Sequence, residues 1–429
     1  MGNDHSISRR KFLGAAAGAA GAAAFGSWAP RAFGGPGNGV GERLVPPGKL
    51  GVQQFSIRDA ITRRSIASST AAGIAPTMGF LGGPDFPDDP TDLGPLVPLP
   101  GGFQEVFEYL ASVDYRGIEF FSFTQNVNEL GRQPTHAEIR SYLDNAGLLS
   151  FGTHTGGLAA MVNPTTRQTQ IDIAHTLGHT MIGTAGDPVG GGGANLLANW
   201  EVAANNYNLV GAALAAEGLR YYLHAEQNNF NFFNDPANPQ LSRVHRIDWF
   251  TENTDPSVVF FEPDILHSYA GRARFPDPVD GSLWGAPLDY WKRNAHRIVA
   301  WHIKDGSRLV PPPARGVNPF TQTIARTPTF TDAILAGEGS IGQGYPLDTD
   351  PAVVGFKRIF DEVGEKGSRY YVIESDSGPG PATDPGRSLR HAKYSLQNML
   401  GLRGAVKGKA KSDVADDAAF ESDAVEVAG

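Results

Sequence analysis

The chain has 429 residues, 41% of them hydrophobic and 19% charged, with a formal net charge of -9 and no cysteine. That length holds one large domain or two medium ones. The acidic balance, with no basic stripe in the body of the chain, excludes a nucleic-acid partner, and the lack of cysteine excludes disulfides, thiolate metal sites and a cysteine nucleophile.

Ser8-Arg9-Arg10-Lys11-Phe12-Leu13 precedes an Ala/Gly-rich, mildly apolar run that reaches about Trp28. Paired arginines before a weak apolar segment resemble a bacterial twin-arginine signal. The expectation is a signal peptide at 1–34, engagement with the twin-arginine export machinery, and a periplasmic or extracellular protein. The run is too short and too rich in small residues to leave a stable membrane span after cleavage.

From about Gly48 short apolar strands alternate with amphipathic helices. Strands are predicted at Gly51–Phe55, Gly117–Phe121, Leu148–Gly152, Thr180–Gly183, Leu219–Leu223, Val258–Phe261, Ile298–Trp301 and Tyr370–Ile373. Phe103, Val106, Phe107 and Leu110 recur at helical spacing after the first strand. Another helix carries Ile139 and Leu143 and stops at Gly147. Further helices are predicted at about 196–217, 352–363 and 388–400. Eight alternations predict an α/β fold, a (β/α)8 TIM barrel forming a single domain over 48–402 with long loop insertions. A doubly wound open sheet shares this local signature, but no GxGxxG follows the first strand. The insertions fall at 67–102, 275–291 and 311–329. A tail at 403–429 carries clustered lysines and then acidic residues, and is predicted to be disordered.

In such a barrel the C-terminal strand ends face the active site, and the polar residues collect there. Strand five runs into His224-Ala225-Glu226, strand six into Glu262-Pro263-Asp264 and then His267, strand seven into His302-Ile303-Lys304-Asp305, and strand eight into Glu374-Ser375-Asp376. Imidazole and carboxylate from four consecutive strands suit a hard or borderline divalent cation such as Mn, Mg, Co or Zn, with positions left for substrate oxygens. His154 ends strand three and either faces the pocket or caps a loop. Glu119 and Arg58 are candidate site residues or rim ion-pair residues, and Glu262 precedes a proline, a context that reads as structural.

The chain resembles the xylose isomerase-like barrel superfamily, particularly its sugar phosphate isomerase/epimerase branch. Gly51-Val-Gln-Gln-Phe-Ser-Ile-Arg-Asp59 resembles the opening strand and Tyr115-Arg-Gly-Ile-Glu119 the second. His302-Ile-Lys-Asp305, Gly337-Glu-Gly339 and Ile373-Glu-Ser-Asp376 resemble the last third. The resemblance implies metal ligands at Asp264, His302 and Glu374, with a fourth from strand five that is either His224 or Glu226. It also implies a substrate contact from His267. His154 and Lys304 are further candidate substrate-binding residues, Lys304 either meeting a substrate oxygen or pairing with Asp305. A carboxylate beside such a cation can remove a proton from the carbon next to a carbonyl. Glu374 and Glu226 are the candidate acid/base pair.

The expected activity is metal-dependent isomerisation or epimerisation of a sugar or polyol. One alternative is a metal-dependent lyase or dehydratase acting on 3-keto glycosides; another is a secreted sugar-binding protein without catalysis. A glycoside hydrolase needs carboxylates at strands four and seven, where this chain has Gly183-Thr184-Ala185 and a histidine. The substrate, the choice of metal and the formation of a homo-oligomer stay open at this point.

Overall fold

The computed structural model describes residues 42–62, 102–125, 130–190, 193–283, 285–308, 330–331, 335–337, 339–344, 350–364, 370–375 and 387–402. These all fall within one compact unit, Gly41–Gly429. The leader, almost all of the 67–102 insertion, the 311–329 segment, Asp376 and the tail lie outside the described residues.

Eight strands run parallel in sequential order: β1 Leu50–Gln53, β2 Gly117–Phe120, β3 Leu149–Thr155, β4 Met181–Ala185, β5 Arg220–Ala225, β6 Val259–Pro263, β7 Ala300–Ile303 and β8 Tyr370–Ile373. β1 pairs with both β2 and β8, and β8 pairs with β7. Between β6 and β7 the ladder reduces to two parallel bridges, Phe261 with Ile298 and Asp264 with His302. The sheet is therefore a nearly closed barrel. The sequence placed every strand within a few residues. β3 runs three residues beyond its predicted end, and its register against β2 shifts between Ile118 and Glu119.

The helices form where the sequence supplies both an apolar stripe and a stop. Thr135 and Glu138 make a reciprocal capping box at the start of His136–Ala146, and Gly147 ends it at φ 70°, a left-handed conformation that glycine adopts without strain. The helix expected over 352–363 is broken instead. It comprises an α segment Gly355–Ile359 followed by a π turn Phe360–Gly364. Among the described residues no helix is long and apolar enough to cross a membrane. The first and last segments of the domain are tied together: Leu44 N donates to Met399 O (2.8 Å), and Ser388 Oγ donates to Asp59 Oδ1 (2.6 Å).

The core has two layers. A large cluster fills the space between barrel and helices, and a small one occupies the barrel axis, made of Phe151, Met181, Tyr222, Val299, Ala300 and Val372. Large rings in that axis need small partners. A Cβ on Gly51 or Gly117 would stand 2.3 or 2.4 Å from the Phe151 ring, and one on Gly183 would stand 2.1 Å from the Tyr222 ring. Side chains on a strand alternate between faces. So the residues two beyond these inward positions also point to the axis, nearer the C-terminal mouth: Glu119 after Gly117, His224 after Tyr222, His302 after Ala300 and Glu374 after Val372.

Overpacking a filled core costs about 1–3 kcal/mol. Gly183→Ala is expected to lower stability by about that much, read from the urea midpoint at unchanged m-value. An unaltered midpoint would contradict the description of the axis as filled.

Candidate metal centre

Seven ionisable side chains converge at the C-terminal mouth. Glu119, Glu262, Asp264 and His302 are fully shielded from solvent, and His224, His154 and Glu374 are 2%, 7% and 9% exposed. Two overlapping groups have their potential ligand atoms within 4.8 Å of one another. One is His224, Asp264, His302 and Glu374; the other is His154, His224, Glu262 and His302.

His224 and His302 belong to both groups, and His302 makes the closer contacts. Its Nδ1 lies 2.7 Å from Glu374 Oε2. Its Nε2 lies 2.7 Å from Glu119 Oε2 and 3.1 Å from Glu262 Oε2. Tyr222 Oη donates to Glu119 Oε1 at 2.5 Å, so the axial layer below holds the far carboxylate in place. Lys304 Nζ sits 3.1 Å from Glu374 Oε2, 3.3 Å from Asp264 Oδ2 and 3.4 Å from His267 Nε2. Asp264 has a double role. Its Oδ1 accepts from His267 N (2.8 Å) and caps helix Ile265–Arg274. Among the described residues its buried Oδ2 makes no hydrogen bond and pairs with Lys304.

Burial drives the ionisation of this cluster, and the neighbours decide each sign. Burial lowers His224 to about 4, leaving it a neutral imidazole near pH 7, the form that binds metals. Burial also opposes charge on His302, but Glu262, Glu374 and Glu119 together hold its pKa well above the usual histidine value. Glu374 is buried too, yet the Lys304 ammonium and His302 hold it well below the usual carboxylate range. Burial, and then the Glu262 charge, push Glu119 up. Burial likewise raises Asp264 against the pull of Lys304.

The residues expected from the sequence are thus brought together unevenly. His224, Asp264, His302 and Glu374 form one group, with Lys304 and His267 at its side. His154 faces inward, 2.9 Å from Glu262 Oε2. Of the two strand-five candidates, His224 joins the group. Glu226, with 30% of its side chain exposed, stands 3.9 Å from His224 Nε2 and outside both groups. Arg58 stacks over the Phe55 ring at 3.7 Å. Glu262, whose proline neighbour read as structural, is at the centre of the second group; its period-two relation to Asp264 was the available signal. Asp305 does not face the cluster. It accepts from the backbone N–H groups of Gly306, Gly337, Gly339 and Gly342 at 2.7–3.0 Å, which anchors the glycine-rich segment beside Lys304.

A family model described as the xylose isomerase-like TIM barrel matches residues 107–395. The chain belongs to this family. No curated protein sequence matches it. Among solved structures, the IolI protein with a bound zinc atom superposes with a TM-score of 0.50 at 11% identity, covering 82% of this chain and 98% of that one. A sugar phosphate isomerase/epimerase from Parabacteroides distasonis gives 0.47 at 15% identity, covering 83% and 96%. A probable 3-DHS dehydratase, AsbF, from Bacillus anthracis gives 0.45 at 12% identity, covering 82% and 98%. At these identities the likeness concerns the fold.

The donor set fits a divalent cation. Two imidazoles and two carboxylates from β5 to β8 converge at bonding reach, and Asp264 Oδ2 is buried without a hydrogen bond. Nitrogen and oxygen ligands without sulfur suit Mn, Mg, Co or Zn.

Proposed function

We propose that this chain is a metal-dependent isomerase or epimerase of a sugar or sugar-like polyol. The observation that carries the reading is the convergence of His224, Asp264, His302 and Glu374 within 4.8 Å, buried at the C-terminal mouth of the barrel. These four side chains would hold the cation. When bound there, a divalent ion supplies Lewis-acid polarisation of a substrate carbonyl and its neighbouring hydroxyl, which acidifies the carbon-bound proton between them.

Glu374 takes that proton. Lys304 and His302 keep it ionised, the form that abstraction requires, and its strand end fixes it in place. Returning the proton to the adjacent carbon from Glu374 gives the aldose–ketose isomer. Returning it to the same carbon from the opposite face gives the epimer, and Glu226 is the second acid/base group for that outcome. It follows β5, three strands around the barrel from β8, and its partial exposure leaves it open to exchange protons with solvent. His154, His267 and Lys304 supply donors for substrate hydroxyls. Burial of the cluster excludes water from the reacting carbons, which strengthens every polar contact there.

A second reading is favoured by one contact. The Lys304 ammonium, between Glu374 and His267, can protonate an oxygen departing from the carbon next to the one deprotonated. Loss of that C–O bond makes the reaction an elimination, for which a 3-keto glycoside is the suitable substrate. An unsaturated ketone product distinguishes it from an isomer. A sugar-binding role without catalysis is the outcome left if no cation binds.

We also propose export by the twin-arginine route, on the strength of Arg9-Arg10 before the apolar run. Arg9→Lys combined with Arg10→Lys is expected to retain the chain inside the cell, as judged by fractionation. Unchanged export would overturn that part.

The enzymatic reading is tested by the metal content of the purified mature protein alongside His302→Ala. Stoichiometric divalent metal, lost in the variant, is expected. Wild-type protein that stays empty after reloading with Mn or Co would sink the metal-dependent mechanism.

A further inference from the structure

A cavity of about 230 Å³ lies between helix Arg246–Glu252, helix Pro287–Arg293 and the turn Gln227–Phe230. None of the residues lining it belongs to either group of ligating side chains at the mouth. Pockets for drug-sized molecules run to roughly 300–1,000 Å³. This one fits something smaller, of the size of a single sugar ring.

Its walls are of two kinds. Phe230 and Tyr290 supply aromatic surface, their rings meeting edge to face at 6.2 Å. Tyr290 is held through its hydroxyl, which meets Thr251 Oγ1 and donates to Ile247 O at 3.4 Å. The polar wall carries Asp248, Asp289, Arg293 and His245. Arg293 reaches over the Tyr290 ring at 5.9 Å and stands 3.7 Å from Asp248 Oδ1, past hydrogen-bond range. Asp289 and Arg293 are exposed, and Asp248 is half-buried. His245 is buried, with its Nδ1 2.8 Å from Phe230 O. Burial lowers its pKa to about 4, so the ring is uncharged near pH 7.

This mixture discriminates between ligand classes. A phosphate or carboxylate would meet two carboxylates, and a small organic cation would meet the Arg293 guanidinium. A neutral polyhydroxylated molecule can use all three groups, because a hydroxyl donates to a carboxylate and accepts from a guanidinium. The C–H face of a sugar ring packs on aromatic carbon.

We infer that this cavity is a binding site for a neutral sugar unit, separate from the metal centre. Asp248 and Asp289 accept from its hydroxyls, Arg293 donates to them, and Phe230 and Tyr290 bear its apolar face. A short path joins the cavity to the catalytic end. Phe230 closes the turn that begins directly after Glu226, and within that turn Asn229 Oδ1 accepts from Glu226 N at 2.7 Å. A sugar seated against Phe230 therefore bears on the segment that places Glu226. The inference needs no metal and is independent of the isomerase reading.

The test uses the full mature chain stripped of metal with EDTA, so that no sugar is chelated at the mouth. The probes are the methyl glycosides of glucose, galactose, mannose and xylose, which have no free carbonyl to react. Binding is followed by saturation-transfer NMR and titration calorimetry on wild type, Asp289→Ala and Arg293→Ala, both substitutions lying at exposed positions. At least one glycoside is expected to saturate wild type and to bind each variant about tenfold more weakly, as loss of a charge-assisted hydrogen bond implies. Equal affinity in wild type and both variants would overturn the proposal, as would no saturation by any of the four. Binding of inorganic phosphate or tetramethylammonium instead, weakened in the same variants, would overturn the ligand class. Metal content of the untreated protein reads the isomerase proposal separately.

Discussion

Glu119, Glu262, Asp264 and Glu374 bring four carboxylates into a barrel mouth where, among the described residues of the cluster, Lys304 is the one permanent cation. Like charges at these separations repel by on the order of a few kcal/mol per pair even at the effective dielectric of a protein interior, and burial adds a desolvation cost. The arrangement persists because each carboxylate has a positive or donating neighbour. Glu374 has Lys304 and His302, Asp264 has Lys304 and a helix N-terminus, Glu262 has three imidazoles, and Glu119 has His302 and the Tyr222 hydroxyl. A cluster that costs this much stability without closing a core is the mark of a functional site.

The rest of the fold serves that cluster. Parallel strands with period-two alternation deliver the inward residues of β2, β5, β6, β7 and β8 to the C-terminal end of the axis. The level below is filled by Tyr222, Phe151 and Val372, which fit only because Gly51, Gly117 and Gly183 leave room. Tyr222 joins the two levels, since its ring packs in the lower and its hydroxyl holds Glu119 in the upper. Asp305 adds a third support by gathering four backbone N–H groups of the segment next to Lys304. The site thus stands on strand ends, and its precision comes from packing beneath it.

Much of this was legible in the sequence. Eight apolar strands with helical stripes between them could close in few ways, and polar residues clustered after the strands pointed to the mouth. His224, Asp264, His302 and Glu374 could be named because strand ends in a barrel converge whatever their separation along the chain. The second group was harder to see. Glu262 precedes Pro263, a context shared by many structural residues, and its partner His154 comes from a strand whose register shifts against β2. The choice between His224 and Glu226 also needed coordinates. Both point to the same side of an extended chain, but the turn Gln227–Phe230 begins immediately after Glu226, and it leaves that carboxylate at the rim while His224 stays within the axis.

We propose that Glu374, beside a bound cation, transfers a proton at a carbon next to a carbonyl. The most direct measurement is solvent deuterium entering candidate ketoses, aldoses and 3-keto glycosides incubated in D2O with the metal-loaded protein. Deuterium at the carbon next to the carbonyl is predicted, dependent on the added cation and reduced about 10²–10⁴-fold in Glu374→Gln. Incorporation that is indifferent to the cation, or that survives Glu374→Gln unchanged, would contradict it.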